Sequence, residues 1–580
     1  MIVALASLLL QTAAMAGPHA DSLVREARRF ERVYERSVRW HAPLSRRGVA
    51  RDGCDEIVGR FCLFFDGDDD ESPIQPEPIA ITGARRAAVN ALRRAFGAAP
   101  EHSAVAAALV RYLVEDQRGA EAAAAARAYI WASADTAFGS MLLGFALHAA
   151  GDIVAADSAF TRALALMPPD TVRAIDDVSY LLERDERSRY RALSDADRAA
   201  YERRLWHLAD PLQMLPGNAA RTEHYARAVW IRLLPEAPWV RGMISWRADL
   251  AELTVRYGVP ISRERIAGSF RADLDLLERY DTAQVTLVPA ALLGGQALST
   301  PDPGEPSPLD PPHPRSGQSP TDVRRLLWLP HQLTRFPGAR GDRTVVRVDA
   351  AMALDSLARD ADSIRVALFV LDSASLRIVA ESQRGVAVRA DTTAFALEAE
   401  VGPGSYVYRV EAFEPESRLA TRALHSLAIV SPLPPIALSD PLIARPFAGS
   451  AVPAQRRDPA LRPRVELILE AGASIGLYAE LVNRSVPAAH AIELSIARES
   501  AHSLPGRAVR WIGRALGLGA ADAAPIIRWE AAVDRPRMPL AVDLALRDLD
   551  AGLYRITLRV GDGTSTLAET SRIVRIAQRR

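Results

Sequence analysis

The sequence holds no lysine: all 71 of its basic residues are arginine. That absence rules out a Schiff-base lysine, a phosphate-loop lysine, the kinase strand lysine and any Ser–Lys dyad. Very GC-rich coding is the plain origin of such a bias, and the exclusions stand whatever the origin. Excess charge of either sign is lacking too. The 71 acidic residues balance the 71 basic ones, so no nucleic-acid partner recruited by bulk charge is expected. No stretch beyond the first residues reaches the roughly 18 apolar residues of a spanning helix, so no transmembrane anchor is expected. Eleven histidines are scattered, with no H-E-x-x-H and no pair four residues apart, and no Gly-rich phosphate loop follows a strand. Local motifs therefore name no catalytic, cofactor-binding or metal-ligating residue, and no cofactor is expected.

What is present is ordinary globular composition, 49% hydrophobic and 24% charged, over 580 residues. That length exceeds one hydrophobic core and suggests three to five domains. Met1 to Leu10 form a short apolar run followed by an A-x-A site at Ala14–Ala16, the layout of a signal peptide over residues 1–16, though no basic residue precedes the run. An exported chain, periplasmic or extracellular, is expected; a buried N-terminal helix is the alternative. Cysteine is scarce: only Cys54 and Cys62 occur. In an exported chain they read as a disulfide, worth roughly 2–3 kcal/mol on the chain-entropy model, against the plainer reading of two buried thiols. A straight helix would hold their Cα atoms about 12 Å apart, too far for a bond, so the segment must bend, with Gly59 the natural place. Asp66, Asp68, Asp70 and Glu77 fall at calcium-loop spacing, but Glu71 replaces the required Gly and three prolines forbid the exiting helix, so a solvated acidic loop is expected.

From about 82 to 170 the apolar spacing is helical. Gly144, Ala156, Phe160, Ala163 and Pro168 stand at offsets that resemble the tetratricopeptide repeat, whose small residues let two helices approach, with Gly151-Asp152 at the turn. A poorer unit precedes it, around Leu109, Tyr112, Leu113 and Gly119. An unrelated helical bundle is the alternative. Further helices are expected from Ser194, with Asp197 completing a capping-box variant, and from about Thr222. Beyond about 343 the period becomes two. Gly404-Ser405-Tyr406 followed by Ala420-Thr421-Arg422 matches Gly552-Leu553-Tyr554 followed by Ala568-Glu569-Thr570 at a constant offset of 148. A repeated hairpin implies two tandem sandwiches, with Tyr406 and Tyr554 at equivalent strand positions in separate sheets.

Trp206, Asp210-Pro211, Asn218, Tyr225-Ala226-Arg227, Ser245-Trp246-Arg247-Ala248-Asp249 and Tyr257-Gly258-Val259-Pro260 resemble the GWxTD-domain family, mostly exported bacterial proteins of unassigned biochemistry. Leu438-Ser439-Asp440-Pro441 and Leu477-Tyr478-Ala479-Glu480-Leu481 look like that family's C-terminal domain. The resemblance spans about residues 190–580. Ser245, Ala248 and Leu250-Ala251 stand where the family has Gly, Thr and Arg-Gly, which favours a structural motif over a chemical one. On that reading Trp246 is a buried anchor and Asp249 a cap or turn residue before a strand Leu253–Tyr257. Gly258 then takes a positive φ and Pro260 ends the ladder.

Two other patterns are weak. Gly472-Ala473-Ser474-Ile475-Gly476 matches a nucleophile elbow, but Leu477–Leu481 beyond it reads as a strand, so a hairpin turn is expected. Arg507, Arg510 and Arg514 share one face of an insertion: a weak membrane-surface contact or an excursion packed by Trp511 and Ile512. The expected fold is multi-domain α+β: a tetratricopeptide-like helical region, a mixed segment, then two antiparallel β-sandwich-like domains. Its segments are 1–16 (signal peptide), 17–80 (helical and loop), 81–190 (repeat region), 191–300 (GWxTD-like), 301–342 (Pro-rich linker), 343–432 and 433–580 (sandwiches). The expected role is binding of other proteins or peptides without catalysis, the alternative a hydrolase with a site assembled from distant residues.

Overall fold

The computed structural model describes residues 2–41, 45–47, 56–59, 61–63, 76–182, 184–234, 239–240, 244–245, 248–259, 264–266, 275–276, 323, 325–354, 361–430, 434–447, 452–484, 488–499, 526–533, 535–547, 549–562 and 565–578. The fold is α+β. Helices occupy the first half, small strands between 45 and 276 make a mixed five-stranded sheet and a separate two-stranded one, and largely antiparallel sheets follow from Arg325. The chain divides into two compact units, the second beginning in the main at Leu327.

In the first unit α1 (Ile2–His41) precedes α2 (Ile79–Ala98), α3 (Ser103–Glu115), α4 (Gly119–Ala132), α5 (Thr136–Ala149) and α6 (Ile153–Leu166). Short polar residues start the last two. The Asp135 carboxylate accepts the Phe138 N–H at 3.0 Å, and Asp152 accepts that of Ala155 at 3.1 Å. Gly151, at φ +81°, turns the chain between them. The facing residues Gly144, Ala156, Phe160 and Ala163 meet in one core, where a Cβ on Gly144 would lie 2.7 Å from the Phe160 ring. Pro168 stands immediately before α7 (Pro169–Asp176), closing α6. Glu77, the last residue of the rejected calcium spacing, ion-pairs with Arg85.

Helix α8 (Arg184–Arg191) leads to α9 (Asp195–Ala209), α10 (Ala219–Leu233) and α11 (Ala248–Tyr257). The Ser194 hydroxyl accepts the Asp197 N–H at 3.2 Å, capping α9 as expected, and donates to the Asp197 carboxylate at 2.6 Å, a side-chain bond in place of the backbone N–H bond of a full capping box. Leu253–Tyr257, expected as a strand, is the second half of α11. The cause is spacing: Leu250, Leu253 and Tyr257 recur at helical intervals and share a core with Val58, Phe61 and Leu234. Asp249 accepts the Leu250 N–H at 2.8 Å in the first turn of this helix. Gly258, at φ +93°, follows its last turn, so the positive φ ends a helix instead of a strand. Trp246 and Pro260 lie outside the described residues. So do Cys54 and the Cys62 side chain, and with them the expected disulfide, although the chain does turn at Gly59 with φ +56°. The side chains of residues 2–17, where a signal peptide is expected, residues 301–320 and the Arg507–Arg514 insertion are also outside.

The second unit holds two sandwich-like pairs of sheets. The first stacks a three-stranded sheet (His331–Pro337, Thr344–Ala353, Thr392–Val401) on a five-stranded one (Arg325–Trp328, Ser363–Asp372, Ile378–Ala387, Gly404–Glu414, Leu419–Ile429). It begins at Arg325, inside the stretch expected as linker: Gln332, Thr334 and Phe336 alternate inward there despite the interruption at Pro330. The second pairs strands Ile436–Leu438, Leu442–Ala444, Ser474–Asn483 and Arg537–Ala545 with strands Ile468–Leu469, Ala488–Arg498, Ile526–Val533, Gly552–Gly561 and Thr566–Ile576. Tyr406 and Tyr554 each stand third in the first strand of a closing hairpin, in separate sheets. Ser474 opens a strand after a turn at Gly472, not a helix, so it is no nucleophile elbow.

Candidate functional site: a polar cleft in the helical unit

Four helices and a turn line a cleft of about 510 Å³. Helix α6 supplies Asp157, α7 its last residue Asp176, and α9 contributes Ala199, Glu202, Arg203, Trp206 and His207. The turn after α9 adds Asp210, Gln213, Gly217 and Asn218, and α10 adds Arg221 and Tyr225. From α8, Tyr190 reaches the same group of side chains through Glu202.

Asn218 fixes the frame. Its side-chain oxygen caps α10 through the Arg221 N–H at 2.8 Å, and its amide donates to the Trp206 carbonyl at 2.7 Å. Trp206 is 4% exposed and stacks against His224 with ring centroids 4.7 Å apart. Asp210 and Pro211 are buried just past the end of α9. Tyr225 sits in the wall, while Arg227 on the same helix donates to the Val255 and Arg256 carbonyls at 3.1 and 3.0 Å and pairs with Glu223. The residues of the family resemblance thus meet: Trp206, Asp210, Asn218 and Tyr225 at the cleft, Arg227 and Gly258 at the end of α11.

Burial dominates the electrostatics. Asp157 is neutralised by a bidentate pair with Arg221, with contacts of 2.6 to 3.0 Å. Glu202 has no such partner. Burial pushes its carboxyl up to about 7, and the Asp176 charge adds to this against a hydrogen bond from the Tyr190 hydroxyl at 2.5 Å. Burial raises Asp176 as well, against the Tyr225 hydroxyl and the Arg221 charge. Asp176 Oδ1 and the indole Nε1–H of Trp206 are both buried without a hydrogen-bond partner among the described residues. Burial holds His224, behind Trp206, down to about 4.

Two residues of the cleft wall therefore carry a buried donor and a buried acceptor without a partner among the described residues, beside a carboxyl that burial holds up to about 7. Such groups bind polar ligands, and a protonated carboxyl can also serve as a general acid. Among the described residues no group of three or more His, Cys, Asp or Glu could hold a metal ion. Sequence reasoning found Trp206 and Asp210 but missed Asp157, Asp176, Glu202 and Arg221, which come from four elements with no shared short spacing. A smaller cavity of about 180 Å³ is lined by Arg28, Glu31, Arg32, Glu35 and Arg111.

No family model and no curated protein matches the chain. Solved structures match weakly. A red sea bream transglutaminase is 11% identical over 44% of this chain and 32% of its own, with a TM-score of 0.15. A glycosyl hydrolase family 2 member from Bacteroides cellulosilyticus is 10% identical over 41% and 29%, with a TM-score of 0.17. A Bacteroides uniformis β-glucuronidase is 10% identical over 41% and 26%, with a TM-score of 0.16. The chain spans about a third or less of each of these proteins, and likeness at this level carries no argument about activity.

Proposed function

We propose that this chain is an exported, non-enzymatic binding protein of the GWxTD kind, whose tetratricopeptide-like helical region presents the α6–α10 cleft to a peptide or protein partner. The cleft itself carries the reading: a cavity of about 510 Å³ whose wall residues Trp206 and Asp176 hold a buried indole N–H and carboxylate oxygen without a partner among the described residues. The other polar residues there are largely committed to each other, Asp157 to Arg221 and Glu202 to Tyr190. The Met1–Gly17 pattern supports export. Panning a random peptide library against the full chain tests the reading. Enriched peptides are expected to lose at least tenfold in affinity for Trp206→Phe or Asp176→Asn at unchanged thermal stability; equal binding to both variants would refute it.

One observation favours a hydrolase instead: Glu202, held near 7, has the proton a general acid needs and faces Asp176. Cleavage of the captured peptides by the wild type, abolished in Glu202→Gln, would decide for that alternative.

A further inference from the structure

Resting on the binding reading above, we infer that the cleft recognises a cationic group, the guanidinium or ammonium of an arginine or lysine side chain, seated between Asp176 and Glu202. The charge inventory of the walls leads there. Among the carboxyls that line the cleft, Asp157 already has its cation in Arg221, and Asp210 is engaged in an interaction of its own. Arg203 is exposed, and Arg198 is turned onto the Tyr190 ring, 5.3 Å from its centroid. Asp176 and Glu202 line the same cleft, the charge of the first bearing on the second, with no ion pair of their own among the described residues.

Both carboxyls are desolvated and the Asp176 charge raises the cost of charging Glu202, the condition that an inserted cation relieves. The unsatisfied Asp176 Oδ1 is an acceptor awaiting a donor. Trp206 supplies the independent sign of a ligand: more than nine-tenths buried in the wall, it has an indole N–H suited to a carbonyl of the same peptide. Trp206 and Tyr225 also bring aromatic rings to the site, surfaces that favour cations. A metal ion fits less well, since two carboxyls alone do not complete a coordination shell.

The groups that act on Glu202 are Tyr190, Asp176, Arg198 and Asp177; the other charged or titratable residues lining the cleft are Arg203 and His207 on its own helix, Asp210 just after it, and Asp157, Arg221 and Tyr225 on other helices. Burial holds the Glu202 carboxyl up to about 7. Binding of a cation therefore strengthens as the pH rises through that value.

The test uses a captured arginine-containing peptide and its citrulline counterpart, which keeps the shape and loses the charge, on the full chain. The arginine peptide is expected to bind at least tenfold more tightly. Its affinity should weaken several-fold from pH 8 to pH 6, and Glu202→Gln should flatten that dependence. Asp176→Asn should weaken the arginine peptide but not the citrulline one, with thermal unfolding measured alongside. Equal binding of the two peptides, with both still dependent on Trp206, would overturn the cation and leave the binding reading standing. A library yielding no binder to the cleft would overturn both.

Discussion

Ala156 is a methyl group pressed against a neighbouring helix, and Phe160, one turn later, fills the space over Gly144. Nothing at this contact has room to grow. Ala156→Leu is expected to cost roughly 1–3 kcal/mol, measured by urea unfolding, because the added carbons must displace the α5–α6 pair. The small residues were legible in the sequence because helix approach demands them at fixed intervals. The cleft's own Asp157, Asp176 and Glu202 were not, because acidic residues are common on helix surfaces and only the fold brings these three together.

The buried histidines of the same unit predict an acid weakness. Burial lowers His148 and His224 from 6.5 to about 4, with the Arg227 charge adding to the effect in both and the Ile175 carbonyl opposing it in His224. Between those values the unfolded chain binds protons that the folded chain refuses, so stability is full above about 6.5 and falls as the pH drops. The loss at pH 5 relative to pH 8 is roughly 2 kcal/mol for each histidine. Unfolding measured at the two pH values should show it, and His224→Gln should reduce it; pH-independent stability would contradict the burial argument.

Among the elements, α11 and α10 explain what the family-like residues do. Arg227 leaves α10 to hold the last carbonyls of α11, beside Gly258, and is balanced by Glu223. Arg227→Ala should destabilise the helical unit by roughly 3–5 kcal/mol, since it breaks a buried ion pair with Glu223 and the bonds to the Val255 and Arg256 carbonyls; near-neutral stability would argue that the motif serves chemistry instead of structure. The sequence placed the residues of this segment but misassigned its helix. Gly and Pro near its end suit a strand terminus as well as a helix cap, and a ten-residue element offers few periods to distinguish the two. The strands from Arg325 to Pro337 were hidden for a similar reason, lying beside a Pro-rich stretch with a proline between them.

At the scale of the whole molecule, the second unit gains its unity from polar side chains. Gln332, 1% exposed, accepts the Ile443 N–H at 2.8 Å and donates to the Ile443 carbonyl at 3.0 Å, so one sandwich completes the backbone bonding of the other. Arg335 adds a bidentate pair with Asp440, at 2.8 and 2.9 Å. Gln332→Leu would remove the acceptor of the Ile443 N–H, while the Ile443 carbonyl keeps the Arg464 N–H at 2.9 Å; it is expected to cost roughly 1–3 kcal/mol, with the two sandwiches unfolding together in the wild type in one calorimetric transition. The tandem arrangement was readable because the closing hairpin repeats at a constant offset. The join was not, because it pairs residues more than a hundred positions apart.

Binding in the helical cleft is the claim on which the functional account depends, and hydrogen exchange reads it directly. The full chain is compared with and without a captured peptide at saturating concentration. Protection is expected in Asp195–Leu233, the stretch from α9 through the turn to α10, with the sandwiches unchanged. Protection confined to the sandwiches, or none anywhere while the peptide is bound, would contradict the account.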